Sequence, residues 1–221
     1  MKAALAQGFE YVVLFNLDTV VEADCIRKMV ASADSAQVET MEDKIPLTPF
    51  VKGGKCEVGA VQAPSASSGQ GRVGAVQARL MLYSDPSTSS GQVKINSLGN
   101  VTHFLGFGYA SGYGERYNPP QPLPARASQW PAGPLVKGGV KEICYPSGAA
   151  VLFTKEALEK VGLFDEEFWM YNEDQDLGWR LWLSGFRVVL APEAVVCHKY
   201  EFSRSIKKYY WLDRNRIMAM L

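Results

Sequence analysis

A chain of 221 residues, 47% hydrophobic and 21% charged, can bury a sizeable core as one globular domain or as a domain with insertions. Its 23 Lys and Arg balance 23 Asp and Glu, which removes any case from global charge for a nucleic-acid partner or an acidic solubilising role, so electrostatic function must be local. Cys25, Cys56, Cys144 and Cys197 lie far apart with no CxxC pair and read as reduced thiols. No apolar run reaches the length of a membrane span, and Met1 to Gln7 is too short for a signal h-region, which predicts a cytoplasmic protein.

Residues 1–7 read as the last turns of a helix ending at Gly8. Tyr11-Val12-Val13-Leu14-Phe15 is a continuous apolar run of strand length, the pattern of a buried strand of the parallel type. It stops at Asn16-Leu17-Asp18-Thr19, and a helix is predicted from Glu22 or Ala23 to about Ala33, with Cys25, Ile26, Met29 and Val30 at helical spacing. Asp18 thus falls just past the C-terminal end of a strand, the edge at which open α/β sheets bind ligands.

Residues 34–72 change character, with scattered charge, Pro46, Pro49, Gly53-Gly54 and a Ser/Gly-rich run at 65–70. Val58 to Ala63 returns as Val73 to Ala78, Ser65 to Gln70 returns almost unchanged as Ser87 to Gln92, and Val51 to Gly54 returns as Val136 to Gly139. Short repeats at irregular spacing form no solenoid, so 34–72 and 84–92 are expected to be inserted or disordered loops. The second copy, running into Arg79 to Tyr83, is expected to be the true strand. Glycines and aromatics from Gly99 to Gly114, and six prolines between Asn118 and Pro134, predict loops, the second within a Pro/Gly-rich stretch at 115–140. An apolar strand follows at Ala149 to Phe153, then a short helix from Thr154, a candidate N-cap, to Gly162. Leu177 to Ser184 reads as a helix closed by Gly185, Phe186 to Leu190 as a strand broken by Pro192, and Ala194 to Cys197 as a second short strand with His198 at its end. Residues 203–221 are helical in pattern, basic and aromatic.

Glu173, Asp174 and Asp176 form an acidic cluster between Phe168, Trp169 and Tyr171 and the start of a helix. Acids in a first turn complement the helix dipole, so on spacing alone capping accounts for them. The surrounding pattern points further. From Gly148 to His198 the chain carries a small-residue turn and strand, a short helix, Gly162-Leu163-Phe164-Asp165-Glu166, an aromatic segment, Glu173-Asp174, Asp176-Leu177, Trp179-Arg180, Gly185-Phe186, Pro192-Glu193-Ala194 and the histidine, in order and without a gap. This resembles the family 2 glycosyltransferases that use sugar nucleotides, and in particular their rhamnosyltransferase-like members. Asn16-Leu17-Asp18-Thr19 resembles the family's strand-end metal motif, and 96–100 and 112–115 resemble its intervening region; the likeness covers about two thirds of the chain.

The resemblance implies a GT-A-type, Rossmann-like α/β fold, a mixed sheet flanked by helices. It also implies a nucleotide-sugar donor and a glycan or lipid-linked acceptor in cell-surface polysaccharide or glycolipid synthesis. Asp174 would be the general base that takes the acceptor's hydroxyl proton, with Glu173 shaping the site or binding the acceptor. Asp18 and His198 would hold Mn2+ or Mg2+ against the diphosphate, although a lone histidine at a strand end also serves structurally. Asn16 would hold sugar or diphosphate, and Gly148, Trp169 and Tyr171 fall on the substrate side, although core packing explains the two aromatics equally well. His103 is expected to be a loop residue only. The C-terminal helix would either contact an anionic membrane surface, at the inner face of the cell membrane, or present a solvated face.

Family members begin with two or more βα units that hold the nucleotide base. None precedes Met1, so the resemblance implies a single partial domain that starts in the middle of the fold, N-terminally truncated and with loop insertions. A catalytically impaired remnant that binds a carbohydrate or a partner is the alternative. A nucleotidyltransferase of similar architecture is disfavoured by the lack of a Gly-rich nucleotide loop near the N-terminus.

Overall fold

The computed structural model describes residues 1–35, 71–83, 93–117, 135–136, 140–199 and 206–221. In chain order its elements are α1 (Lys2–Ala6), β1 (Tyr11–Phe15), β2 (Thr19–Val21), α2 (Cys25–Ser35), β3 (Val73–Leu82), β4 (Ile95–Ser97), β5 (Asn100–Thr102), β6 (Gly108–Ala110), β7 (Leu135–Val136), β8 (Val140–Glu142), β9 (Ala150–Thr154), α3 (Lys155–Val161), a 3-10 turn (Glu166–Phe168), α4 (Glu173–Leu183), β10 (Arg187–His198) and α5 (Ile206–Met220).

The long apolar runs share one sheet in the order β1-β9-β3-β10-β8-β7, with β4 added to β3 and β2 added to β10. β3 and β10 are parallel, and β9 runs antiparallel to both β1 and β3, so β1, β3 and β10 point the same way. The sheet is therefore mixed. Its strands are apolar at successive positions because both faces are covered. Ala75, Val151, Phe153, Val188 and Leu190 pack on one side with Leu158, Leu177 and Leu181 of α3 and α4. Val76, Leu152, Val189 and Ala191 pack on the other with Cys25, Met29 and Ala33 of α2. Alternate residues of a strand face opposite ways, so a run with no polar alternation needs a layer on each side.

Several predicted elements are redrawn. Pro192 does not break the last strand. β10 is continuous, and between Ala191, opposite Ala78, and Val195, opposite Arg79, its register shifts by a bulge. A residue without an N–H is tolerated where the ladder is already interrupted. The helix predicted from Leu177 begins at Glu173, so the acidic pair lies in its first turn. The stretch 99–114, expected to be loop, holds the β5–β6 hairpin, and β7 with the start of β8 lies inside the stretch 115–140. Two- and three-residue strands carry too little alternation to be legible. The inserted loops expected at 34–72 and 84–92 and most of the Pro/Gly-rich stretch 115–140 lie outside the described residues, save 34–35, 71–72, 115–117, 135–136 and 140. Cys25, Cys144 and Cys197 are free thiols, and Cys56 is outside the described residues.

The short helix is capped as its sequence predicts. Thr154 accepts from the Ala157 amide, and Gly162 closes the helix at φ 85°. A tertiary contact completes this end. Arg180 of α4 pairs with Asp176 one turn back at 2.7 Å and donates to the carbonyls of Val161 and Leu163 at 2.6 and 2.8 Å. One guanidinium thereby satisfies the last carbonyl of α3 and that of Leu163 just beyond it, and fixes the helix end against α4. Asp176 is thus structural. Arg180→Ala is expected to cost about 2–3 kcal/mol, because it strands partly buried acceptors; urea unfolding should show a lower midpoint at unchanged slope.

Candidate active site

The C-terminal ends of β1, β3 and β10 and the N-terminal end of β9 meet at one sheet edge, where Phe15 lies opposite Ala150 and His198 opposite Leu82. β2 brings Asp18 to that edge. Thr19, Val20 and Val21 pair antiparallel with His198, Cys197 and Val196, and the Lys199 amide donates to the Asp18 carbonyl at 2.8 Å. The Asp18 carboxylate, about half exposed, then sits 3.2 Å from Nε2 of the buried His198. Nδ1 of the same ring faces Oδ1 of Asn96, on β4, also at 3.2 Å.

These two oxygens, of Asp18 and Asn96, can each accept, and a neutral imidazole has one proton to give. With that proton directed at Asn96, Nε2 presents its lone pair beside a carboxylate, an arrangement that a cation between them relieves. The donor set, one carboxylate oxygen and one imidazole nitrogen, suits Mn2+ or Mg2+. No cluster of three or more His, Cys, Asp or Glu side chains able to hold a metal occurs among the described residues, so an ion here would take further ligands from substrate or water.

Glu173 and Asp174 enter the same edge from the N-terminus of α4. Asp174 accepts from the Gly148 amide at 3.1 Å and from the Gln175 amide at 2.9 Å. It does cap the first turn, as the capping reading has it. Yet burial first, and the Glu173 charge second, push its carboxyl up to about 7, although these two hydrogen bonds pull the other way. Burial raises Glu173 as well, and its Oε2 is buried without a partner among the described residues. A helix-capping acid alone would be held low by the dipole. Two desolvated carboxylates whose pKa values are both raised, Asp174 to about 7, are suited to proton transfer.

A buried polar chain joins the two corners. Gln77, fully buried in β3, accepts from the Ser147 amide at 2.8 Å and donates to Ser97 at 3.2 Å, and Ser97 donates to Asn100 at 3.0 Å. Ser147 precedes Gly148, which holds Asp174, and Ser97 follows Asn96, which faces His198. Sequence reasoning assigned no role to Gln77 or Asn96. A lone Gln inside the apolar run 73–82 was the legible signal, since a buried amide must find partners.

Of the other expected site residues, Gly148 spends its amide on Asp174. Asn16 has an exposed side chain at the edge, while its backbone joins Ala149 and Thr19. Trp169 is 67% exposed and its ring lies 5.2 Å from that of Trp211 of α5, tilted by 46°, so core packing does not account for it. Tyr171 is half-buried beneath the Lys208 ammonium. Trp169, Tyr171 and Asn172 all have positive φ, at 53°, 70° and 65°. Non-glycine residues pay roughly 1–3 kcal/mol each for such a backbone, which persists where surroundings impose it and clusters at functional sites. His103 lies in the turn between β5 and β6, its ring 4.1 Å from that of Phe104.

The mixed sheet and its flanking helices have the fold of the GT-A glycosyltransferases: the crystal structure of GalNAc-T7 with UDP, GalNAc and Mn2+ superposes at a TM-score of 0.54 over 99% of this chain and 33% of that one, at 9% identity. Over 77 residues the chain is 38% identical to the N-acetylglucosaminyl-diphospho-decaprenol L-rhamnosyltransferase of Mycobacterium tuberculosis, in each of two strains. That match spans 31% of this chain and 25% of the relative. No protein-family model matches the chain.

Proposed function

We propose that the chain carries the catalytic base and metal corner of an inverting glycosyltransferase. It would move a sugar from a nucleoside-diphosphate donor to a hydroxyl of a glycan or lipid-linked acceptor, in cell-surface polysaccharide or glycolipid assembly. The observation that carries this reading is Asp174, a carboxyl held near neutrality at the sheet edge that also presents Asp18 and His198. The partial likeness to a rhamnosyltransferase acting on a diphospho-decaprenol-linked sugar supports it.

The acceptor O–H gives its proton to Asp174 as the acceptor oxygen bonds to the anomeric carbon. The bond from that carbon to the diphosphate oxygen breaks, and the leaving group departs with the electron pair. Attack from the face opposite the leaving group inverts the centre. Glu173 keeps the pair's charge repulsive, which makes Asp174 a stronger base than an ordinary carboxylate. Asp18 and His198 would hold Mn2+ or Mg2+, which supplies charge neutralisation to the departing diphosphate. Among the described residues no helix is long and apolar enough to cross a membrane.

The test is incubation of the purified chain with Mn2+, nucleotide sugars headed by thymidine-diphosphate rhamnose, and an N-acetylglucosaminyl-diphospho-lipid. Acceptor-dependent release of the nucleoside diphosphate with an inverted product is expected. Retained anomeric configuration would overturn the base assignment. The exposed face of Trp169, beside Trp211, favours one second reading, a carbohydrate-binding remnant. Calorimetric binding of a glycan, with no heat from Mn2+ plus nucleotide sugars, would select it.

A further inference from the structure

The segment that delivers the acidic pair is held by α5. Asn215, fully buried, directs Nδ2 at three carbonyl oxygens, those of Phe168, Met170 and Tyr171, at 2.8, 2.7 and 2.8 Å. Its neighbour Arg214 donates to the Glu167 carbonyl and to Asn215 Oδ1, both at 2.9 Å. The second of these bonds fixes the amide with its nitrogen toward the turn. Two consecutive residues thus bind four carbonyls within five residues. The gripped turn contains Trp169 and Tyr171, and Asn172 follows, all at positive φ; Glu173 comes next. Local contacts account for only part of this backbone: the Met170 amide closes a tight turn around Trp169 onto the Phe168 carbonyl, and Asn172 donates to Gln175 Oε1, but Asn172 makes no side-chain cap of α4 and no glycine relieves the positive φ at Trp169 and Tyr171.

We infer that Arg214 and Asn215 are positioning residues, a clasp through which α5 forces the 167–172 turn into its left-handed path and so sets where Glu173 and Asp174 meet the acceptor. This rests on the reading of Asp174 as the base. The clasp also places Trp169 against Trp211, so the base and the exposed aromatic shelf move as one unit. A turn with three unfavoured backbones relaxes when its partners are removed. The carboxylates at its end would be misplaced without contact being lost at the metal corner.

Asn215→Ala and the milder Arg214→Met are the test variants, each measured in two ways on the full chain. Amide hydrogen exchange should accelerate across 167–174 while β3, β9 and β10 keep their protection. Transfer should lose kcat about 100-fold in Asn215→Ala, the scale of an ångström misplacement, with donor KM unchanged and the acidic limb of the pH profile displaced. Wild-type kcat and pH limb in both variants would overturn the inference. So would exchange that rises throughout the sheet, which would mark α5 as general scaffolding; Arg214→Met keeps the question open to measurement if Asn215→Ala does not fold. Should the wild-type chain show no transfer, the proposed activity fails, and the exchange pattern still decides whether the clasp exists.

Discussion

Asp174→Asn is expected to reduce transfer by about 10²–10⁴-fold, the usual contribution of a general base, while making the folded chain more stable above neutral pH. The two effects have one origin. Burial and Glu173 raise the Asp174 carboxyl from 3.8 to about 7. Between those values the folded state holds a proton that the unfolded chain has released, so stability falls as pH rises from about 4 to about 7 and stays lower above it. An amide has no charge to desolvate, and its one oxygen still accepts from the Gly148 amide; its Nδ2 cannot accept from the Gln175 amide, a loss of about 1–3 kcal/mol that is smaller than the cost of the buried charge removed. The variant's melting temperature should therefore exceed the wild type's by a margin that grows over that window and is flat beyond it. In the wild type the rate should rise with pH to a plateau, with an apparent midpoint near 7 that belongs to the Glu173–Asp174 pair. A variant that transfers at the wild-type rate, or that loses stability at pH 8, would sink the assignment.

The metal corner should fail separately. His198→Ala and Asp18→Asn are expected to abolish measurable Mn2+ binding in the presence of a nucleoside diphosphate. Asn96→Ala, which removes only the group that orients the ring, should cost about 10–100-fold in affinity. Titration calorimetry reads both. Chelation should stop transfer in the wild type, and added Mn2+ should restore it. Because Asp174 lies on α4 and not on β2 or β10, the three metal-corner variants should keep the raised carboxyl titration. Loss of that titration in His198→Ala would show the two corners to be one coupled site.

Much of the architecture was legible because its signals are local. The strand at 11–15 matches β1 in extent, but β1 is an edge strand antiparallel to β9 with only Val12 buried, not the buried parallel-type strand expected, since a run of apolar residues does not tell which neighbours a strand will have. The capped helix between Thr154 and Gly162 needs only a side-chain oxygen and a glycine in place. Glu173 and Asp174 stood out as acids beside aromatics. Their raised titration could not be read, since it depends on burial beneath residues far away in the chain.

The same divide holds at each remaining point. The sequence by itself determined which apolar runs form strands, where the Thr154-capped helix starts and stops, and which side chains have chemistry to offer, because periodicity, capping and residue type act over a few neighbours. Only the tertiary structure decided that Asp18 lies 3.2 Å from His198, through a three-residue strand too short to show a period. It alone showed that Pro192 sits in a bulge, that Arg180 closes α3, and that Arg214 and Asn215 hold a strained turn. Each of these rests on a hydrogen bond, an ion pair or a register between residues distant in sequence, and desolvation and hydrogen-bond geometry are properties of the assembled neighbourhood.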